Sequence, residues 1–371
     1  MWIFPETVAF FLPLRYTTNT IETFPQEMSH SFKRGIIMTI KDLSALTGYS
    51  VGTVSRVLNN QPNVSEKARK AIWEAALETG FQLNTNAKQL KQQHSNSILV
   101  LVKGNSNHLF GTLVENLQAD MTEREEVLAV DYLDEDHNEV RRALQLCLEK
   151  KPQGILFLGG NRENFLADFN KIHIPCVLVT DDASGMPFEN LSSVSSDDRL
   201  AAQMAVGELA DRGHRKFAII GGDRQVSDTT KLRYQGCMDA FAAHGIVFEE
   251  QKAYENVRFS YEGGYRAACN LLDRGCEFSA LFAMSDVMAI GAIRALRDRG
   301  LRVPEDVSVM GFDGLRISNF TTPRLSTVCQ NVEALAERSL ELLLSAIATP
   351  GEPCYETVPV HVEVRESVKK V

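Results

Sequence analysis

Beyond Ser97 the chain alternates short apolar runs with longer stretches in which apolar residues return every three or four positions, the pattern of parallel strands joined by amphipathic helices. SILVLV at 97–102, VLAVDY at 127–132, GILFLG at 154–159 and PCVLV at 175–179 form one series of predicted strands. KFAIIGG at 216–222, SALFAM at 279–284 and VSVMGFD at 307–313 form a second, with helices expected near 198–212, 231–244, 263–274 and 287–300. Each series runs to roughly a hundred residues, the size of a compact unit of its own. Two lobes of similar build imply a cleft, and open α/β sheets bind ligands beyond the carboxyl ends of their strands.

Ahead of this region the rhythm changes. In MTIKDLSALTGYSVGTVSRVLNN, residues 38–60, Ile40, Leu43 and Leu46 recur at helical spacing, and Gly48 suits a tight interhelix turn. Val51, Val54, Val57 and Leu58 give a second helix its packing face, while Thr53, Ser55, Arg56 and Asn59 occupy the other. Ser50 stands where an N-cap belongs, and a helix N-terminus bearing Ser and Thr hydroxyls is a natural phosphate partner. Arg56 can address a guanine edge bidentately from the major groove. Taken singly, each feature also fits an ordinary helical hairpin with a solvated face; together they predict a helix-turn-helix that reads DNA. NVSEKAR at 63–69 opens a third helix, with Ile72, Ala76 and Leu77 on its core stripe and Trp73 helping to cover it, and Gly80 stops it. NTNAKQL at 84–90 then reads as a polar, weakly helical linker ending in one exposed leucine.

Charge sharpens this picture. The 371 residues carry a net charge of −9, yet between Met38 and Asn96 seven Lys or Arg stand against four Asp or Glu, so the basic character is confined to the end that would meet phosphate. At 44% hydrophobic and 23% charged, the chain has material for a sizeable core. Its seven cysteines are odd in number and lack a CxxC pair, which predicts structural thiols in a reducing cytoplasm and neither disulfide framework nor zinc site. The eight histidines show no HxH or HxxxH spacing, and no nucleophile or acid–base set accompanies them, so no catalytic residue, metal or cofactor is expected. Gly221-Gly222 opens GGDRQ, which is not GxGxxG and reads as a tight turn. Asp286 and Asp313 end predicted strands; for Asp286 helix capping and ligand contact stay equally open, and Asp313 is the more ligand-like. Residues 1–37 are aromatic, proline-broken and without a basic n-region, neither a signal peptide nor long enough to span a membrane. They read as a disordered upstream extension of a protein starting at Met38 or Met28.

Thr39 to about Asn96 resembles the headpiece and hinge of the LacI/GalR family of bacterial transcription regulators, through TVSRVLNN at 53–60, the following NVSEKAR and the linker. The resemblance continues to about Val368 in GHRKFAIIGG at 213–222, LRYQGCMDAF at 232–241, SDVMAIGAIRAL at 285–296, GLRVPEDVSVMGFD at 300–313 and TPRLSTV at 322–328, where the family uses a type I periplasmic-binding-protein fold as sensor. It implies that Val51 and Gly52 tune operator choice, that Arg56 contacts guanine, and that a hinge helix with Asn84, Ala87 and the minor-groove wedge Leu90 folds on the operator. Thr39, Ser50, Thr53, Ser55 and Asn59 complete the expected DNA contacts. Leu83 stands where a proline is common, and Lys88-Gln89 replace the usual Ala-Arg pair. For the cleft the resemblance implies Arg233 and Asp313 as polar ligands and Phe110, Thr229 and Phe259 as further lining, with Ser285 in place of an asparagine and Gly314 in place of an acidic or amide residue.

The expected architecture is a small all-α helix-turn-helix domain at 38–83, a hinge at 84–96, and a two-lobed, doubly wound parallel α/β domain at 97–371. Lobe one is expected at about 97–195 plus 326–340, lobe two at about 196–325 plus 341–371. The expected function is a cytoplasmic, non-catalytic repressor that binds a palindromic double-stranded operator under control of a sugar-like effector, with no membrane partner. A homodimer is expected, because no leucine heptad of the kind that joins dimers into tetramers follows VHVEVRESV at 360–368. A transport receptor would share the sensor fold without needing the headpiece, and an enzyme would need a reactive cluster.

Overall fold

A computed structural model of the protein describes residues 39–58, 64–79, 97–104, 107–124 and 127–371. The extension at 1–37, Asn59 and the hinge with Asn84, Ala87 and Leu90 lie outside the described residues. The chain divides into two compact units, the first ending at Asn86 and the second beginning at Ala87.

In the first unit, α1 (Ile40–Thr47) starts at a capping box, in which Thr39 N donates to the Asp42 carboxylate (2.8 Å) and Asp42 N donates back to Thr39 Oγ1 (3.4 Å). Gly48 turns the chain at φ 70°. Helix α2 (Val51–Leu58) begins with Thr53 N donating to Ser50 Oγ at 3.2 Å, and α3 (Glu66–Glu78) closes the trio. Leu43, Val54, Val57, Leu58, Ile72 and Ala76 make the core. Leu46 and Val51 are not part of it, being 52% and 42% exposed. The buried stripe of α2 is the close-set Val54, Val57 and Leu58, and Val51, at the first position of the helix, falls off its end. Trp73 is exposed as well.

The second unit holds two six-stranded sheets. The first runs β11 (Tyr355–Val358), β5 (Leu191–Ser196), β4 (Cys176–Val179), β3 (Gly154–Leu158), β1 (Ser97–Lys103), β2 (Val127–Leu133), every pair parallel. Helices His108–Glu123 and Val332–Ala348 cover one face, and Glu139–Lys150 with Arg162–Asp168 the other. The second sheet runs β12 (His361–Glu363), β10 (Ser326–Cys329), β9 (Ser308–Asp313), β8 (Ala280–Ala283), β6 (Phe217–Gly221), β7 (Tyr254–Asn256), parallel except between β10 and β12. Strands β1, β2, β3, β4, β6, β8 and β9 fall on the predicted runs.

The lobe boundaries differ from expectation. Residues 326–329 belong to the second sheet, whereas Val332–Ala348 and Tyr355–Val358 belong to the first lobe and His361–Glu363 returns to the second. The apolar stripe Leu335, Ala336, Leu340 and Leu343 packs on the first sheet and carries the whole helix with it. The chain therefore passes between lobes after Ser196, after Cys329 and after Val358. Val287 and Leu315 of the second lobe pack into the first-lobe cluster, so the lobes share apolar contact beside the cleft.

Candidate functional site

In the first unit the polar face of α2 is presented to solvent. Ser50, Val51, Gly52 and Arg56 are exposed and Thr53 and Ser55 half-buried. Arg56 Nε donates to Gly52 O at 3.3 Å, which lays the guanidinium back along the helix. Ser50 Oγ and Thr53 Oγ1 lie 3.0 Å apart at the helix N-terminus, where hydroxyls and peptide N–H groups can share a phosphate. Thr39 Oγ1 donates to Asp42 at 2.6 Å, so its hydroxyl serves the cap of α1 first.

In the second unit a cavity of about 650 Å³ opens between the lobes at the carboxyl ends of both sheets. Phe110, Thr229, Arg233, Phe259 and Asp313 all line it. Each lobe contributes one phenyl ring seated over a glycine: a Cβ on Gly159 would come within 2.9 Å of the Phe110 ring, and one on Gly222 within 2.8 Å of Phe259. Arg233 is buried, with Nε donating to Asp198 Oδ1 (2.7 Å), Nη1 to Met284 O (2.5 Å), and its Cζ 3.6 Å from the centre of the Phe312 ring. Its Nη1 stands 3.9 Å from Asp313 Oδ1. Asp313 holds a φ of 114°, and Thr180, at the matching strand end of the first lobe, a φ of 76°. Such conformations are costly for residues with a Cβ and concentrate where a site dictates the backbone. Burial pushes the Asp313 carboxyl up to about 7 against the pull of Arg233 and of Gln330 Nε2, which donates to it at 3.0 Å.

Ser285 and Asp286 do not line the cavity. Ser285 Oγ caps helix Asp286–Asp298 by accepting from Met288 N at 3.3 Å. Asp286 is fully buried, accepting from Leu315 N (2.7 Å) and Thr327 Oγ1 (2.6 Å), in space that exists because a Cβ on Gly311 would strike its Oδ1 at 2.2 Å. Burial, and then the Asp313 charge, push its carboxyl well up. Both residues organise the lobe behind the cleft.

Three features of the cleft escaped the sequence reading. Asp181 follows β4 and reaches across the cleft, accepting from Thr229 Oγ1 of the other lobe (2.7 Å) and from Gly160 N (3.1 Å). Burial pushes its carboxyl up to about 7. The strand-end rule that selects Asp313 selects Asp181 too. At the rim, Arg258 of the second lobe meets Asp134, Glu135 and Asp136, which directly follow β2; its Nε lies 2.8 Å from Glu135 Oε1. Gln330, in the second crossover, also accepts from Ser196 Oγ in the first at 3.1 Å, tying Asp313 to two of the inter-lobe segments. Nothing in the local sequence marks Gln330.

A helix-turn-helix unit joined to a two-lobed unit with a ligand cleft defines a DNA-binding regulator of the sensor type. Residues 39–84 match the family of bacterial regulatory proteins of the lacI type, and residues 206–368 a periplasmic-binding-protein-like domain. The chain is 33% identical to the HTH-type transcriptional regulator MalR of Clostridium butyricum over 322 residues, spanning 85% of this chain and 94% of that protein. It is 32% identical to the HTH-type transcriptional repressor PurR of Glaesserella parasuis, spanning 86% and 93%. Among solved structures, the transcriptional regulator CelR in complex with cellobiose superposes with a TM-score of 0.65 at 28% identity, spanning 89% of this chain and 99% of that one. The chain belongs to the LacI family and is a DNA-binding transcriptional regulator.

Proposed function

We propose that the protein is a homodimeric repressor, without catalytic activity of its own, that works in the cytoplasm on a palindromic operator and answers to a sugar-like effector in the inter-lobe cleft. Paired α2 helices enter successive major grooves, with Arg56 on guanine, Val51 and Gly52 tuning base choice, and Ser50, Thr53, Ser55, Asn59 and Thr39 on or near phosphate. The hinge residues Asn84, Ala87 and Leu90 work in the minor groove. A ligand that bridges the lobes biases their closure, and that motion reaches the headpieces through the hinge as a change in operator affinity. The observation that carries this reading is the cleft itself: one phenyl face per lobe and convergent polar groups at the carboxyl ends of both sheets, the makings of a site for a hydroxyl-rich ring. CelR, a relative, was solved with cellobiose. Gel shift on DNA upstream of the protein's own gene, with and without sugars that raise its melting temperature, tests the reading. A sugar that alters a sequence-specific shift supports it, and a protein that binds no such DNA refutes it.

A further inference from the structure

Among the described residues the cavity walls carry seven carboxylates and three cations. All three cations are already matched within the protein. Lys103 Nζ lies 2.5 Å from Glu139, a carboxylate with almost no exposure. Arg233 is held by Asp198 at 2.7 Å with Asp313 beside it, and Arg258 is enclosed by Asp134, Glu135 and Asp136. What remains facing the ligand is acidic. Asp181 accepts only from a hydroxyl and a peptide N–H, Asp223 from the peptide N–H of Gln225, and Glu262 has no partner among the described residues. A phosphate or carboxylate entering this space would lose its hydration with no unmatched cation among the described residues to receive it, and would meet like charge at short range. Hydroxyl groups suit the same walls, because carboxylates accept their hydrogen bonds, and an ammonium group suits them better.

We infer that the effector is a sugar without negative charge, bearing hydroxyls alone or hydroxyls and an amine, and that the unmatched carboxylates Asp223 and Glu262 exclude phosphorylated and acidic sugars. This rests on the reading of the cleft as an effector site and names the chemical class it takes. The discrimination is negative as well as positive: an acidic analogue is rejected by repulsion and by unreturned desolvation, even where its ring makes the same contacts.

Matched sets test it on the full chain: glucose with glucosamine, glucose 6-phosphate and glucuronate, and the corresponding galactose, ribose and cellobiose derivatives, each followed by thermal shift and then calorimetry. Within every set that binds, the parent or amino sugar should raise the melting temperature and the acidic member should not. In the double variant Asp223→Asn/Glu262→Gln, the preference against the acidic member should fall by about threefold for each charge removed, the effect of one unit charge about 6 Å away in water-like surroundings. An acidic or phosphorylated sugar that binds more tightly than its parent overturns the charge selection and leaves the effector site standing. A protein that no sugar of any charge stabilises removes the sugar reading of the cleft, and this inference with it.

Discussion

Arg56 shows how one side chain divides affinity from specificity. Its guanidinium is exposed on α2 and held to the helix by a bond to Gly52 O. If it pairs bidentately with guanine, Arg56→Ala costs about 1–3 kcal/mol and relaxes preference at one position of each half-site. Anisotropy titrations against operators substituted at each position check this; a uniform loss on every sequence makes Arg56 a phosphate contact instead. In the cleft, Asp313→Asn keeps the shape of the side chain and removes its charge. It should weaken effector binding by about ten- to a hundredfold, the worth of a charge-assisted hydrogen bond of roughly 1.5–3 kcal/mol, with operator binding by the unliganded protein intact. Calorimetry and gel shift on the same preparation read both. Asp181 gives the pH dependence. Its carboxyl is raised to about 7 from an ordinary 3.8, so the folded protein holds that proton more tightly than the unfolded chain. Its contribution to stability therefore declines as pH rises from about 4 to about 7 and is constant outside that window. Asp181→Asn does not titrate, and melting curves should show the wild type losing ground to this variant between about pH 4 and pH 7; a constant gap would mean an ordinary carboxyl. Residues marked by position were legible in the sequence: Arg56 on an exposed helical face, Asp313 at a strand end. Gln330 and Arg258 act through partners more than a hundred residues away or across a crossover, and no local pattern encodes that.

At the scale of elements, helix pairs in the second lobe are set by glycine. Helices Tyr261–Asp273 and Asp286–Asp298 touch backbone to backbone, since a Cβ on Gly291 would lie 2.0 Å from Tyr261 O and one on Gly264 2.1 Å from Met288 O. Neither backbone can yield alone, so Gly291→Ala should force the helices apart at a cost of about 1–3 kcal/mol or more. Gly111, exposed on helix His108–Glu123 with no atom within 4 Å of its would-be Cβ, is the contrast. There Gly111→Ala should stabilise by about 0.5–1 kcal/mol through helix propensity. Denaturant melts of the two variants should move in opposite directions, and equal effects would contradict the packing account. The strands legible in the sequence are the apolar central ones. Strand β5, LSSVSS, is buried throughout yet mostly serine, because its hydroxyls find partners: Ser193 Oγ accepts from Ala183 N, Ser192 Oγ from Cys354 N, and Ser196 Oγ donates to Gln330. A buried strand whose polar groups are satisfied leaves no hydrophobic rhythm to read.

For the whole molecule, the number and kind of lobes followed from the two strand series, while the path of the last 46 residues did not. Ser326–Cys329 and His361–Glu363 lie in the second lobe, Val332–Ala348 and Tyr355–Val358 between them in the first, and only the completed sheets reveal which strand each one joins. These crossings place Ser196 and Gln330 side by side and link both to Asp313, so the residue proposed to meet the ligand also touches the segments about which the lobes would move. A palindromic operator calls for two headpieces related by a twofold axis, and light scattering should give twice the monomer mass. The most direct test of regulation through the cleft is the operator affinity of the dimer titrated with a sugar that calorimetry shows to bind. The account predicts that saturating sugar changes operator affinity by about 5- to 150-fold and that Asp313→Asn shifts the midpoint of this response to higher sugar concentration. A sugar that occupies the cleft and leaves operator affinity unchanged would contradict it.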